Sequence, residues 1–232
     1  MKNHSTKWLG SLTLILTLST LLSCSKDDET YPSLITEMVM AQADAQGCMT
    51  SFTTDGGTTY TVDNHIEGMD ANSRLRCLCG YTIEAEKHAN VYSALLVPVL
   101  TDASDAKSPK RHPTGIASAW LSGGFLNLHL TPKTHGGKQA WGFICDSVTP
   151  HLASPEGSAE GYTYHLSLYH DQSDDATSYT TDLYACIDLD SLAVHSPRNA
   201  PPAATDSLRL TVPTFNGDAL WMFEVRDSKA ER

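Results

Sequence analysis

Little in this chain is helical and little of it is basic. No stretch repeats apolar residues at helical spacing over several turns, so neither a bundle nor a coiled coil is expected. The longest apolar segment, residues 8–22, has about fifteen residues and is diluted by Thr13, Thr17, Ser19 and Thr20, short of the roughly 20 needed to span hydrocarbon. A permanent transmembrane helix is therefore not expected. Lys and Arg number 16 against 27 Asp and Glu, for a net charge of −11. Nucleic acid, whose binding needs basic side chains to displace counterions, is not an expected partner. The chain also lacks His-x-His, His-Glu-x-x-His and Cys-x-x-Cys spacings and has no Gly-x-Ser-x-Gly elbow. These absences remove the usual signatures of a zinc site and of an activated nucleophile. The expectation is a non-enzyme with no catalytic, metal-binding or cofactor-binding residues and no cofactor.

What is present begins at the N-terminus. Lys2 and Lys7 precede the apolar segment, which stops at Leu21-Leu22-Ser23-Cys24. This resembles a bacterial lipoprotein signal spanning residues 1–23, with Cys24 as the lipidated residue that ties the mature protein to a membrane. Each buried CH₂ of the acyl chains contributes about 0.8 kcal/mol, so two or three chains make a lasting anchor. Residues 24–33 follow as a polar tether that opens with Ser25-Lys26-Asp27-Asp28-Glu29. Such an acidic run behind the lipidated cysteine is similar to the surface-export signal of lipoproteins in gut and oral Gram-negative anaerobes. The resemblance implies an outer-membrane address facing the cell exterior. Losing residues 1–23 removes two lysines and no acid, which moves the charge from −11 to −13 over 209 residues.

The body reads as all-β. Short runs of alternating apolar and polar residues recur between Gly, Asp, Asn, Pro and Ser clusters. Residues 34–41, 48–54, 58–62, 74–84 and 91–100 are five candidate strands, with Asp55-Gly56-Gly57 as a hairpin turn between the second and third. Five strands over residues 34–103 suit an OB-like barrel. Residues 104–113 are polar and rich in breakers, and read as a linker. Seven further candidate strands, 115–121, 125–130, 139–146, 162–170, 179–190, 207–212 and 219–226, make residues 114–232 a β-sandwich of immunoglobulin-like type. In two of them Leu126, Leu128 and Leu130, and Leu208, Leu210 and Val212, share one face as core positions do.

Two segments carry a family resemblance. Trp120-Leu121-Ser122-Gly123-Gly124-Phe125-Leu126-Asn127-Leu128 resembles the first hairpin of the C-terminal domain of NigD-like lipoproteins. Leu166-Ser167-Leu168-Tyr169-His170-Asp171-Gln172-Ser173-Asp174-Asp175, with Tyr179 beyond it, is similar to that family's strand, acidic loop and next strand. The resemblance covers roughly residues 114–226 and implies a lipoprotein signal, an OB barrel and an immunoglobulin-like sandwich. It brings no catalytic residue to this chain.

The loop Asp171-Gln172-Ser173-Asp174-Asp175 opens like a calcium loop but has Ala176 where an EF-hand needs Gly and Asp182 where it needs the longer acid. A solvated acidic loop is expected instead. His129 and His165 would approach each other only if their strands were neighbours, and Asp63, His65 and Glu67 alternate along one strand edge; neither set has a credible further ligand. Besides Cys24, five cysteines remain: Cys48, Cys77, Cys79, Cys145 and Cys186. A Cys145–Cys186 bridge would contribute roughly 4 kcal/mol by chain entropy, but spacing does not establish any pairing. Cys77 and Cys79 share a strand face and are expected as small buried hydrophobes. Of Phe52, Tyr60, Tyr81 and Tyr92, half or more should be core, while Trp120, Trp141 and Trp221 pose the same question in the sandwich, where Trp141 alternates with Phe143. The leading expectation is a surface-anchored accessory lipoprotein that binds an envelope or secreted protein. The alternative is a carbohydrate-binding lipoprotein.

Overall fold

The computed structural model describes residues 33–152 and 160–225. The signal segment, Cys24 and the tether up to residue 32 lie outside the described residues, as does Arg226 at the end of the last expected strand. Among the described residues no helix is long and apolar enough to cross a membrane.

Five strands close a barrel in the order β1-β2-β3-β5-β4: β1 (Ile35–Ala43), β2 (Met49–Thr54), β3 (Thr59–Val62), β4 (Arg74–Ala85) and β5 (His88–Leu96). β4 returns antiparallel to β1, and β3 meets β5 in parallel through Thr61 and Val62. Val39, Ala41, Met49, Phe52, Cys77, Cys79, Tyr81, Ala89 and Val91 fill the interior. Phe52, Tyr60 and Tyr81 form a ring cluster with centroids 4.7–5.8 Å apart, so three of the four barrel aromatics serve the core, and of the four Tyr92 alone is exposed. Cys77 and Cys79 are fully buried, as their strand alternation predicts.

The remaining elements are β6 (Thr101–Asp102), β7 (Gly115–Ser122), β8 (Phe125–Thr131), β9 (Lys133–Thr134), β10 (Ala140–Leu152), β11 (Glu160–Asp171), β12 (Tyr179–Thr180), β13 (Leu183–Asp188), a 3₁₀ turn (Leu189–His195), β14 (Ser207–Thr214) and β15 (Gly217–Glu224). A five-stranded sheet, β15-β14-β11-β10-β6, packs against the three-stranded sheet β13-β8-β7. Leu126, Leu128 and Leu130 of β8 meet Tyr164, Leu166, Leu168, Leu208, Leu210 and Val212 in one core. Period-2 alternation produces this: each strand turns its aliphatic residues to the partner sheet and its polar ones outward.

Four expectations are corrected. The fifth barrel strand, expected to reach residue 100, ends at Leu96, because the chain crosses to the sandwich at Pro98, which has no N–H to give to a ladder. Residues 97–103, expected in the barrel, are held mostly by the sandwich: Cys186 donates to Pro98 O (3.0 Å), Leu100 donates to Cys186 O (2.7 Å), and Thr101–Asp102 pair with β10. The 104–113 stretch, expected as a linker, also runs against the sandwich, where His170 donates to Lys110 O (3.1 Å) and His112 donates back to His170 O (3.0 Å). The strand expected at 179–190 divides into β12, β13 and the 3₁₀ turn, whose start Asp188 caps by accepting from Asp190 N–H at 3.0 Å.

Candidate binding site at the junction of barrel and sandwich

Two glycine hairpins meet where the barrel touches the sandwich. In the β2–β3 turn, Gly57 has φ +84°, and Asp55 points its carboxylate across the junction. In the β7–β8 turn, Gly123 has φ +59° and Gly124 φ +84°. A Cβ at Gly123 would collide with the Asp55 carboxylate, so glycine is required there by space as well as by backbone conformation.

Arg76, on the outer face of β4, completes the contact. Its guanidinium donates to both Asp55 oxygens, with Nη2 to Oδ2 at 2.7 Å, and to Asn127 Oδ1 at 3.0 Å. Asn127 donates to Ser122 Oγ at 3.0 Å, and Ser122 donates to Asp55 Oδ2 at 2.5 Å. The guanidinium also lies 4.4 Å from the centre of the Phe125 ring. The Arg76 side chain is 0% exposed and that of Asp55 14%. Such a buried charge persists because it is paired and hydrogen-bonded on the planar fork that a guanidinium offers. Four of the nine residues in the first family-resembling segment, Ser122, Gly123, Phe125 and Asn127, therefore build this interlock.

Beside it, Met38, Val97 and Cys186 are buried between the two halves, with Leu78, Trp120, Phe125 and Tyr184 packed around them. A cleft of about 420 Å³ opens here, lined by Glu37, Met38, Leu78, Trp120, Ser122 and Tyr184 among others. The Tyr81 hydroxyl donates to Glu37 Oε1 at 2.5 Å. Burial, and then this bond to a carboxylate, hold the Tyr81 phenol well above its ordinary range. Among the described residues Glu37 meets no cation within ion-pair distance. On one wall His129 stacks on Tyr184, with ring centres 4.3 Å apart, and its Nε2 contacts Asp182 Oδ1 at 2.6 Å. On the other, the cross-strand row Met38, Leu78 and Leu95 runs outward over β1, β4 and β5. Leu95 ends that row 54% exposed.

A second polar centre sits at the far end of the sandwich. Asp175, expected in a solvated loop, is instead only 9% exposed. Its carboxylate accepts from Thr134 Oγ1 (2.5 Å), His135 N (2.9 Å), Gly137 N (3.0 Å) and Gln139 Nε2 (2.7 Å). The Thr134 hydroxyl first, then the His135 N–H, hold its carboxyl far below the usual range. Asp175 thus pins residues 134–139 and spends both of its carboxylate oxygens internally, while Ser173 and Asp174 of the same loop stay exposed. His170 is 1% exposed, stacks on Trp141 with ring centres 3.8 Å apart, and places Nδ1 2.9 Å from His112 O. Burial lowers its pKa despite that acceptor. Phe143 is buried, Trp141 is partly buried against the core, and Trp221 packs there beside Phe223.

The other candidate residues are not brought together. His165 lies on β11 and contacts Thr149 Oγ1 at 3.0 Å, whereas His129 lies on β8 of the opposite sheet. Asp63 pairs with His88 at 2.8 Å, and His65 with Glu67 at 3.5 Å and Cys48 Sγ at 4.0 Å, on an exposed surface. Among the described residues no group of three His, Cys, Asp or Glu is placed to hold a metal ion. Cys48, Cys77, Cys79, Cys145 and Cys186 are all free thiols. Cys145 contacts Ser147 O while Cys186 lies against Pro98 O. Burial pushes both up to about 11, so both remain protonated at neutral pH.

A closed five-stranded barrel joined through such an interlock to a two-sheet sandwich defines the structural class. The NigD-like C-terminal beta sandwich domain matches residues 96–222, more than half of the sequence, and the chain belongs to the NigD-like family. A NigD-like immunity protein from Bacteroides caccae is similar in structure, with a TM-score of 0.54 and 22% identity over 83% of this chain and 93% of its own. A protein of unknown function from Bacteroides vulgatus is similar with a TM-score of 0.61 and 17% identity over 84% of this chain and 92% of its own. At these identities the likeness is one of fold, and it spans barrel and sandwich together. No curated protein matches the chain.

Proposed function

We propose that the protein is a non-catalytic accessory lipoprotein, anchored to the outer membrane through lipid on Cys24 and facing the cell exterior, that docks an envelope or secreted protein at the barrel–sandwich junction. The observation that carries this reading is the apolar row of Met38, Leu78 and exposed Leu95 leading into the cleft beside Trp120 and Tyr184. Apolar surface rimmed by polar groups on a rigid support is the usual ground of protein–protein contact. The rigid support is the Arg76–Asp55–Asn127–Ser122 network. Leu95→Glu places a charge in the row without touching that network, so the partner should be lost while the fold is kept. Unchanged recovery of the same crosslinked partner with Leu95→Glu would refute the reading.

A glycan reading draws on the same cleft, where Trp120 and Tyr184 share the lining with Ser122. Isothermal titration with neutral oligosaccharides separates the two readings: binding lost in Trp120→Ala favours the glycan.

The anchor has its own tests. Cys24→Ala should move the protein from the detergent phase to the aqueous phase, and its persistence in detergent would count against lipidation. Protease added to intact cells should digest the folded domains, and protection until lysis would place them in the periplasm.

A further inference from the structure

The polar centre at the far end of the sandwich brings together four groups of different chemistry. Thr134 ends β9, and Gln139 stands one residue before β10, so the two side chains flank the turn between those strands. Asp175 reaches between them. Its Oδ2 accepts from the Thr134 hydroxyl at 2.5 Å and from the Gln139 amide nitrogen at 2.7 Å, while its Oδ1 is fixed by the N–H groups of His135 and Gly137. One carboxylate oxygen therefore touches a hydroxyl and an amide nitrogen at once. The other amide hydrogen of Gln139 goes to Lys133 O at 3.0 Å. With both hydrogens so placed, the amide oxygen is turned to His170, whose Nε2 lies 3.0 Å from Oε1. His170 is itself buried and held flat against the Trp141 ring.

A structural tie would need Thr134 and Gln139 only as donors. Here the amide carbonyl is also aimed at an imidazole nitrogen, and the hydroxyl shares a proton acceptor with the amide nitrogen. These are the parts that acyl transfer from an amide to a hydroxyl requires: a nucleophile, a carboxylate between nucleophile and leaving group, and a donor where negative charge develops.

We propose that Thr134 and Gln139 become joined by an ester bond that the chain forms on itself, with Asp175 and His170 as its catalytic groups. Thr134 Oγ1 attacks Cδ of Gln139, and its proton passes to Asp175 Oδ2. His170, carrying a proton on Nε2, donates to Oε1 as charge gathers there and keeps that proton throughout. Asp175 hands its own proton to the amide nitrogen, the Cδ–Nε2 bond breaks, and ammonia leaves while the Cδ–Oγ1 bond remains. No oxidant, metal or cofactor enters the balance, and escape of ammonia to solvent draws the reaction forward. The hydrogen bonds that keep Asp175 ionised ensure that it passes the proton on and does not retain it. The product closes residues 134–139 into a covalent ring, in a chain whose five described cysteines are free thiols. It is independent of what docks at the junction.

The test is tryptic mass mapping of the denatured, natively lipidated chain. Trypsin cuts after Lys133 and Lys138, which frees residues 134–138 from the peptide that begins at Gln139. With the ester the two stay joined, at their summed mass less one ammonia, and alkaline hydroxylamine, which cleaves esters and spares amides, releases them. Thr134→Ser keeps the hydroxyl and should keep the joined species, whereas Thr134→Val should give two separate peptides. Asp175→Asn should slow joining about a hundredfold in pulse-labelled cells. A free, unmodified 134–138 peptide from the natural chain overturns the proposal whatever the variants do, and so does simple hydrolysis of Gln139 to Glu with the peptides apart. Joining that survives Thr134→Val, resists hydroxylamine, or runs at the natural rate in Asp175→Asn would overturn it equally.

Discussion

Replacing Arg76 with Met removes the cation at the centre of the junction while keeping most of its volume. The structure fixes what is lost: two bonds to Asp55, one to Asn127 at 3.0 Å, and a cation–π contact with Phe125 at 4.4 Å. It also fixes what is left behind, a mostly buried Asp55 carboxylate whose remaining side-chain partner is the Ser122 hydroxyl. Breaking one side of a buried pair typically costs about 3–5 kcal/mol, and the residual solvent access of Asp55 argues for the lower figure, about 3 kcal/mol. For a chain of this size that corresponds to a fall in Tm of about 6–12 °C. Urea unfolding of Arg76→Met, of Asp55→Leu and of the double variant checks the reasoning. Each single variant strands one charge, whereas the double variant strands none, so it should be more stable than the sum of the singles by about 2–3 kcal/mol. A loss under 1 kcal/mol in Arg76→Met, or strict additivity, would show that the interlock does not hold the junction.

Further consequences follow from other parts of the molecule. Gly123→Ala and Gly124→Ala share the cost of a positive φ, about 1–2 kcal/mol, but only the first drives a Cβ into Asp55; its melting point should fall clearly further, and equal falls would contradict the packing of the two turns. Asp175 has its folded-state pKa held below the unfolded value of about 3.9, so its stabilisation is complete above that pH and is lost as pH falls toward the folded pKa. Acid titration of Asp175→Asn should show a correspondingly shallower loss below about pH 4. His170, also lowered on folding, should stay neutral below its unfolded value of about 6.5, costing stability as pH falls from there; an NMR titration showing it charged at pH 7 would reverse that sign.

The core was legible because it is periodic. Leu126, Leu128 and Leu130 announce a buried face within five residues of sequence, and Cys77 and Cys79 sit two apart on a strand that buries both. The hairpin at Asp55-Gly56-Gly57 was legible for the same local reason. The interlock was not, because Arg76 reads as one more polar residue beside Arg74, and its partners Asp55 and Asn127 lie 21 and 51 residues away. Asp175 misled in the same manner: three consecutive polar residues and an acid suggest a solvated loop, yet the N–H groups that draw it inward belong to residues 135 and 137. His129 and His165 were each correctly placed on strands, but strand membership does not reveal which sheet a strand joins. The second wall of the cleft, Trp120 and Tyr184, depends on how barrel and sandwich meet, which no local pattern records.

The claim that the junction is the docking surface is tested most directly by a photo-crosslinking residue placed at Leu95, with a control at Met222 on the exposed side of β15, in intact cells that express the natively lipidated chain. A discrete adduct at position 95, absent at 222, is expected if the junction docks a partner. Adducts of equal yield at both positions, or at 222 alone, would contradict it.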